Sequence, residues 1–273
     1  MSDRVTLEVH DGIADLRLNR PDKINALDPA MFAAIVDAGE GLKADRSVRV
    51  VVLSGEGRGF CAGLDFSSFQ AMAGDGAGGA DQEDDGPELG SIGRTDGRIT
   101  HLAQQSAWVW QELEVPVIAA VHGPCLGGGI QIAMGADLRI VAPDAKLSVL
   151  ESRWGLIPDM TGTVMLRKLV GLDVAKELTF TGRMVSGEEA IRLGLATRVA
   201  DDPRAAALEL AGELLSRSPD ALRQAKRLLN LSGTRPVEEQ LADERTAIAS
   251  LIGTPNQVES TVAYFEKRAP KFT

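Results

Sequence analysis

The chain has few of the residues that build metal clusters, disulfide frameworks or nucleic-acid grooves. Among 273 residues there are two cysteines, Cys61 and Cys125, and three histidines. The cysteines form no C-x-x-C pair, and His10, His101 and His122 have no neighbour at metal-ligand spacing. Neither a disulfide framework nor a metal is expected. No serine sits in a G-x-S-x-G turn, which weighs against a serine hydrolase. Positive charge is scarce as well: 29 Lys and Arg face 39 Asp and Glu, a formal net charge of −10. Phosphate contacts need clustered cations, so a nucleic-acid partner is set aside. No apolar run approaches the roughly 20 residues that cross a bilayer, and the N-terminal MSDRVTLEVH has no apolar signal core. No membrane association is expected, and a reduced, cytoplasmic compartment is.

What is present suffices for a full core. Apolar residues make up 44% and charged residues 25%, the ordinary balance of a globular chain of this length. VTLEVHDGIADLRLNR alternates on both sides of Asp11-Gly12, as a hairpin does. LDPAMFAAIVDAGEGL offers Asp28 as a helix cap and Pro29 at the first helical position, with Met31, Phe32, Ile35, Val36 and Leu42 at helical spacing. VRVVVLSG, PVIAAVHG and DLRIVAP read as buried strands separated by helix-period stretches, which predicts α/β layering with crossover connections. After about Gly194 four stretches, each opened by a proline, read as helices. They are either an appendage that packs on another subunit or the completion of the core. Between Ala73 and Gly97 lie eight glycines, seven acidic residues and one arginine, carrying −6 of the charge and leaving −4 on the rest. So polar a stretch cannot offset its ordering entropy, and a mobile loop, lid or disordered insert, is expected there.

Three consecutive glycines, Gly127–Gly129, stand between the strand VIAAV and the helical IQIAMGAD. Glycine adds nothing to a core, so a reason is needed. A dinucleotide fingerprint would need G-x-G-x-x-G, which is absent. A helix N-terminus exposes unpaired N–H groups, and glycine lets a ligand oxygen reach them without meeting a Cβ. An oxyanion hole, a phosphate site and plain tight packing all remain open on these residues alone. A second small-residue turn, GEGRGFCAGLDF, follows the strand VRVVVLS.

Taken in order, RPDKINALD, RGFCAGLD, PVIAAVHGPCLGGGIQIAMGADLRI, ESRWGLIPDMTGT, TGRMVSGEEAIRLGLATRV and YFEKRAPKF resemble the crotonase superfamily, the enoyl-CoA hydratase/isomerase family, over nearly the whole chain. The resemblance implies an α/β spiral of ββα units over residues 1–195 and a C-terminal helical trimerisation region over 196–273. It implies an acyl-CoA thioester as substrate, no separate cofactor, and self-association into a homotrimer or a dimer of trimers. Two backbone N–H groups would hold the thioester oxygen when an enolate forms; matched motif to motif, they fall on Ala62 and Gly128. Donors aimed at arriving charge lower the barrier, and losing one costs about 3–4 kcal/mol in a protease.

The family's two catalytic carboxylates fall on Gln131 and Glu151, so one is replaced by an amide that cannot exchange a proton near neutral pH. Gln131 then either orients water or substrate, or is a polar wall residue without a task. Eight residues after Glu151 comes Asp159, which resembles the dienoyl-CoA isomerase branch; the dehalogenase branch also carries an aspartate there. Glu151 and Asp159 would move the protons, with Trp154, Leu156, Ile157 and Met160 supplying apolar surroundings that raise a carboxyl pKa. The bland alternatives are an ion pair of Glu151 with Arg153 or Arg167, and a helix-capping Asp159. The CoA wall would include Lys23, Asn25, Ala26, Leu27, Ala62, Gly63, Leu64, Asp65, Gly127, Trp154 and Lys267, with Asp65 ordering its own turn by bonds to the backbone. Hydration, double-bond shift, another reaction of the superfamily and a non-catalytic acyl-CoA-binding role stay open at this point.

Overall fold

The computed structural model describes residues 3–65, 95 and 97–273. The glycine-rich stretch 73–97 lies, apart from residues 95 and 97, outside the described residues. Strands β1 (Val5–His10) and β2 (Ile13–Leu18) form the antiparallel hairpin expected around Asp11-Gly12, both residues at positive φ. Helix α1 (Pro29–Ala44) follows, with Asp28 accepting the Met31 N–H at 2.7 Å and Pro29 at its first position. Both are the start signals read from the sequence.

Strands β3 (Val50–Gly55), β4 (Val117–Val121), β6 (Leu138–Val141) and β9 (Arg198–Val199) extend the hairpin in parallel, giving the order β1-β2-β3-β4-β6-β9. Three short strands, β5 (Pro124–Leu126), β7 (Lys146–Ser148) and β8 (Val185–Ser186), make a second sheet. Successive turns of chain therefore give a strand to the large sheet, a short strand to the small one, and then helix. The helices of these turns are α2 (Leu102–Glu112), α3 (Gly128–Gly135), α4 (Gly162–Leu169), α5 (Leu172–Thr181) and α6 (Gly187–Leu193).

Strand β3 is apolar at every other step on each face because both faces are covered. Val51 and Leu53 join Leu16, Ile35, Trp110 and Ala119 in the main core. Val50 and Val52 face the other way, with Ile118, Ala120 and Ile140, and are covered by Ala207, Leu210 and Ala211. Those three lie on α7 (Pro203–Leu215), the first of the C-terminal helices, so this helix completes the core. The next helix, α8 (Pro219–Leu231), is tied in by Lys226, whose ammonium meets Asp137 at 2.8 Å and the carbonyls of Trp110 and Val115 at 2.9 Å. Helices α9 (Val237–Leu251) and α10 (Pro255–Glu266) instead leave Val237, Ile248, Ile252, Tyr264 and Phe265 exposed. No helix among the described residues is long and apolar enough to cross a membrane.

Candidate active site

The first small-residue turn is held by the segment Arg20–Asp28. Ile24 and Asn25 both have positive φ, 51° and 55°, costly for a β-branched isoleucine and tolerable for asparagine. The surrounding bonds fix them there. The Asn25 amide donates to the carbonyls of Glu56, Gly59 and Phe60 at 3.0–3.1 Å, and its oxygen accepts the Arg20 N–H at 2.8 Å. Leu27 pairs with the turn on both sides: its N–H donates to the Gly63 carbonyl and its carbonyl accepts the Asp65 N–H. Arg20 closes the arrangement through its ion pair with Asp65.

These bonds correct one expected donor. The Ala62 N–H donates to the Ile24 carbonyl at 2.8 Å, so it is not available to a thioester oxygen. Backbone groups of an extended chain point alternately to either side. With Gly63 C=O and Asp65 N–H turned toward Leu27, the Leu64 N–H faces the opposite way. Among the described residues it has no hydrogen-bond acceptor. The amide offered by this turn is therefore Leu64's.

The second turn lies against the first. Cys61 and Cys125 form a parallel bridge, with Cys61 N–H donating to Pro124 C=O and Leu126 N–H to Cys61 C=O. A Cβ on Gly63, at φ +89°, would stand 2.8 Å from the Leu126 carbonyl oxygen and 3.7 Å from the Gly127 Cα. Gly127, at φ +53°, donates its N–H to Ser148 and leads into α3, whose first N–H groups have no carbonyl a turn earlier to meet. Gly128 is the first of them. A Cβ there would strike Leu27 Cδ1 at 2.7 Å and Met160 Sδ at 2.9 Å; one on Gly129 would strike Cys61 at 2.7 Å. The triple glycine thus serves close packing and an open helix N-terminus together.

Glu151 opens the 3-10 turn Glu151–Trp154 and is buried. Its Oε1 accepts from Gln131 Nε2 at 2.6 Å, and the same oxygen lies 3.6 Å from where a Gly127 Cβ would be. Its Oε2 is buried and has no hydrogen-bond partner among the described residues. Burial pushes the Glu151 carboxyl above the ordinary glutamate range. Its own backbone N–H and the Gln131 amide oppose that rise, and the negative charge of Asp159 adds to it. Gln131 is no idle wall residue: its Oε1 accepts the N–H groups of Met160 and Gly162, each at 2.9 Å.

Both bland alternatives for the acids fail. Among the described residues no ion pair joins Glu151 to Arg153 or Arg167, and the residue at the N-cap position of α4 is Thr161, not Asp159. Asp159 is exposed, yet near enough for its charge to act on Glu151. The expected apolar surroundings are corrected. Trp154, in the 3-10 turn, is 56% exposed, and Leu156 and Ile157, in the irregular chain after it, are exposed too, Ile157 by 69%; Met160 alone of the four is buried. Asn25 and Leu27 are likewise buried, so their side chains back the turn and do not line an open wall. Asp65 is paired with Arg20 across segments, and Ala26 is buried between them. Lys23 and Lys267 are exposed at the ends of the 3-10 turn Pro21–Lys23 and of α10. No contact described at the two turns involves Lys267. Sequence reasoning missed the unpaired Leu64 amide, Asn25 as scaffold, and the Met160 and Gly162 amides. An asparagine beside a turn was the one available signal, since it tolerates positive φ. Among the described residues no group of three or more His, Cys, Asp or Glu is placed to hold a metal.

Comparisons with known proteins match the whole of this architecture. The family described as Enoyl-CoA hydratase/isomerase matches residues 8–273. The chain is 32% identical over 267 residues to the short-chain-enoyl-CoA hydratase of Clostridium acetobutylicum, covering 97% of this chain and 95% of that one. It is 32% identical over 272 residues to the mitochondrial methylglutaconyl-CoA hydratase of Mus musculus, covering 97% and 81%. Among solved structures, an enoyl-CoA hydratase from Polaromonas sp. JS666 superposes with a TM-score of 0.85 at 28% identity, covering 98% of this chain and 99% of that one.

Proposed function

The chain belongs to the enoyl-CoA hydratase/isomerase family, and from that premise we propose that it shifts a double bond in an unsaturated acyl-CoA thioester. The observation that carries this reading is a buried glutamate with one carboxylate oxygen held by an amide and the other unpartnered, beside two abutting glycine turns. The thioester oxygen is bound by the N–H groups of Leu64 and Gly128. Glu151 Oε2 takes a proton from Cα of a 3-enoyl thioester, and the bonding pair moves into a dienolate whose charge rests on the thioester oxygen. The carboxyl group then returns a proton to Cγ, and the double bond lies between Cα and Cβ. Atoms and charge balance without a redox partner. A raised pKa suits a group that must both take and return a proton. Asp159, exposed and near enough for its charge to act on Glu151, is the second proton carrier when the double bonds lie further along the chain.

Hydration is the second reading, favoured by the named relatives. It needs one group to activate water and another to protonate Cα, and the amide of Gln131 supplies neither. Assay of one purified protein on trans-2-enoyl-, 3-enoyl- and 3,5-dienoyl-CoA separates the readings. The double-bond shift is expected to exceed hydration; hydration that dominates and survives Asp159→Asn overturns it. Lys23 and Lys267 are proposed to meet the CoA phosphates, with the backbone around Ala26 in the wall between. No further cofactor is invoked. The exposed apolar side chains of α9 and α10 are proposed to be covered in a homotrimer or a dimer of trimers, which sedimentation would show.

A further inference from the structure

Of Trp154, Leu156, Ile157 and Met160, only Met160 is buried, and it is buried against the start of α3. Its Sδ and Cε lie 2.9 and 3.4 Å from where a Gly128 Cβ would stand, and Leu27 Cδ1 lies 2.7 Å from the same point. Glycine at 128 therefore makes room for the thioether as well as freeing the helix start. The main chain of Met160 is fixed on both sides. Its N–H donates to Gln131 Oε1 at 2.9 Å, and Thr161 after it is left-handed, φ 70° and ψ 0°, which turns the chain into α4 at Gly162. One residue thus spans the site: its main chain follows Asp159 directly, and its sulfur stands against the first turn of α3.

A thioester held by the Leu64 and Gly128 N–H groups, with Cα at Glu151 and its farther carbons toward Asp159, runs along that span. Leu27 and Cys61, on the α3 side, are 0% exposed, whereas Met160 keeps 6% of its surface open, so of these three it is the one with surface left for a ligand. We propose that Met160 is a specificity-determining residue: its thioether fills the space beside Cα and Cβ, so that straight-chain enoyl thioesters are accepted and those with a methyl branch at either carbon are refused. The inference rests on the acyl-CoA reading above and names the substrate class within it. A methionine side chain is unbranched and polarisable, and lies along a flat enoyl group without polar demands of its own. It is also flexible, and could admit a branch by swinging away. Leu27 at the Gly128 position, and Cys61 packed against Gly129, close that retreat on the α3 side. One carbon that a packed wall cannot place is worth about 10–200-fold in kcat/KM.

The test measures kcat/KM of wild type, Met160→Ala and Met160→Leu on straight-chain enoyl-CoA substrates and on the same thioesters carrying a methyl at Cα or Cβ, following hydration and double-bond shift together. Comparing enzymes cancels the effect of the methyl on intrinsic reactivity. Met160→Ala is expected to lower the preference for straight over branched substrates at least tenfold. Met160→Leu, of similar volume, is expected to keep that preference within about threefold. A merely structural methionine would lower turnover of every thioester in parallel, and an unmoved preference in folded Met160→Ala overturns the proposal. Calorimetric titration of wild type with butanoyl-, 2-methylbutanoyl- and 3-methylbutanoyl-CoA reads the wall without chemistry, and the branched ligands are expected to bind at least tenfold more weakly. Equal binding of the three overturns the proposal and leaves the functional reading intact, whether or not the variants fold. If butanoyl-CoA binds while no thioester is turned over, the functional reading fails and the titration still decides the wall. If no thioester binds, both fall.

Discussion

The two halves of the site are built in opposite ways. The paired glycine turns are saturated: Asn25 alone satisfies three carbonyls and one N–H, and Leu27, Cys61 and Ile24 tie the turn to its neighbours. What they leave over is N–H groups facing one side. The Glu151–Gly162 segment is unsaturated. Glu151 Oε2, Ser152 Oγ and Thr161 Oγ1 are buried without hydrogen-bond partners among the described residues, while Trp154, Leu156 and Ile157 stand exposed. A rigid half that stabilises charge works only if it is organised before the substrate arrives. A half that carries protons must instead keep a polar atom unpartnered, and that costs stability.

The sharpest test of this contrast is Glu151→Gln. Losing the proposed proton carrier should lower kcat roughly 10²–10⁴-fold. The same change should stabilise the fold near neutral pH. Because the folded carboxyl is raised above its ordinary value of 4.5, the native state favours the protonated form, and the ionised form is penalised as pH rises through the folded value. The variant should therefore melt about 2–4 °C higher at neutral pH, the shift that one kcal/mol gives a chain of this size. The gain should vanish once the medium is acidic enough to protonate the glutamate in both folded and unfolded chains. A variant that melts lower at neutral pH would break the contrast from the catalytic side.

From the rigid side, Gly63→Ala forces a Cβ to 2.8 Å from the Leu126 carbonyl at φ +89°. Displacing the Leu64 amide should lower kcat roughly 10²–10³-fold, comparable to losing one oxyanion donor. Near-wild-type turnover would show that the Leu64 amide is not used. Asn25→Ala leaves three carbonyls and an N–H without their partner, so denaturant unfolding should show a loss of about 2–4 kcal/mol. Asp159→Asn should lower double-bond shift by about 10²-fold or less and move the acid limb of kcat to lower pH, since one negative charge acting on Glu151 is removed. The smallest effect is at the surface. Lys23→Ala should raise KM about 2–5-fold at low salt and less at high salt, as for any exposed charge pair.

Much of this was legible in the residues themselves. The hairpin, the Asp28–Pro29 helix start, the buried strands and the order of the glycine turns all depend on neighbours within a few residues. The roles proposed for Gly128 and Glu151 rest on motifs of that kind. Gln131 stood out as an amide where an acid was expected. Leu64 did not stand out, because which N–H of FCAGLD is left over depends on pairing with a segment some forty residues earlier. The exposure of Trp154 and Ile157 was equally hidden, since which side of a 3-10 turn and of the irregular chain after it meets the core is set by packing, not by the letters.

The amino-acid order by itself set the periodicity of the strands and helices, the places where a Cβ is missing, and the replacement of an acid by an amide. Those are properties of short stretches, fixed by backbone sterics and side-chain chemistry. Tertiary structure alone decided which amides remain unpaired, which way the Gln131 amide faces, and which oxygen of Glu151 is left to react. Each of these is settled by partners distant in the chain, and hydrogen-bond direction exists only once both partners are in place.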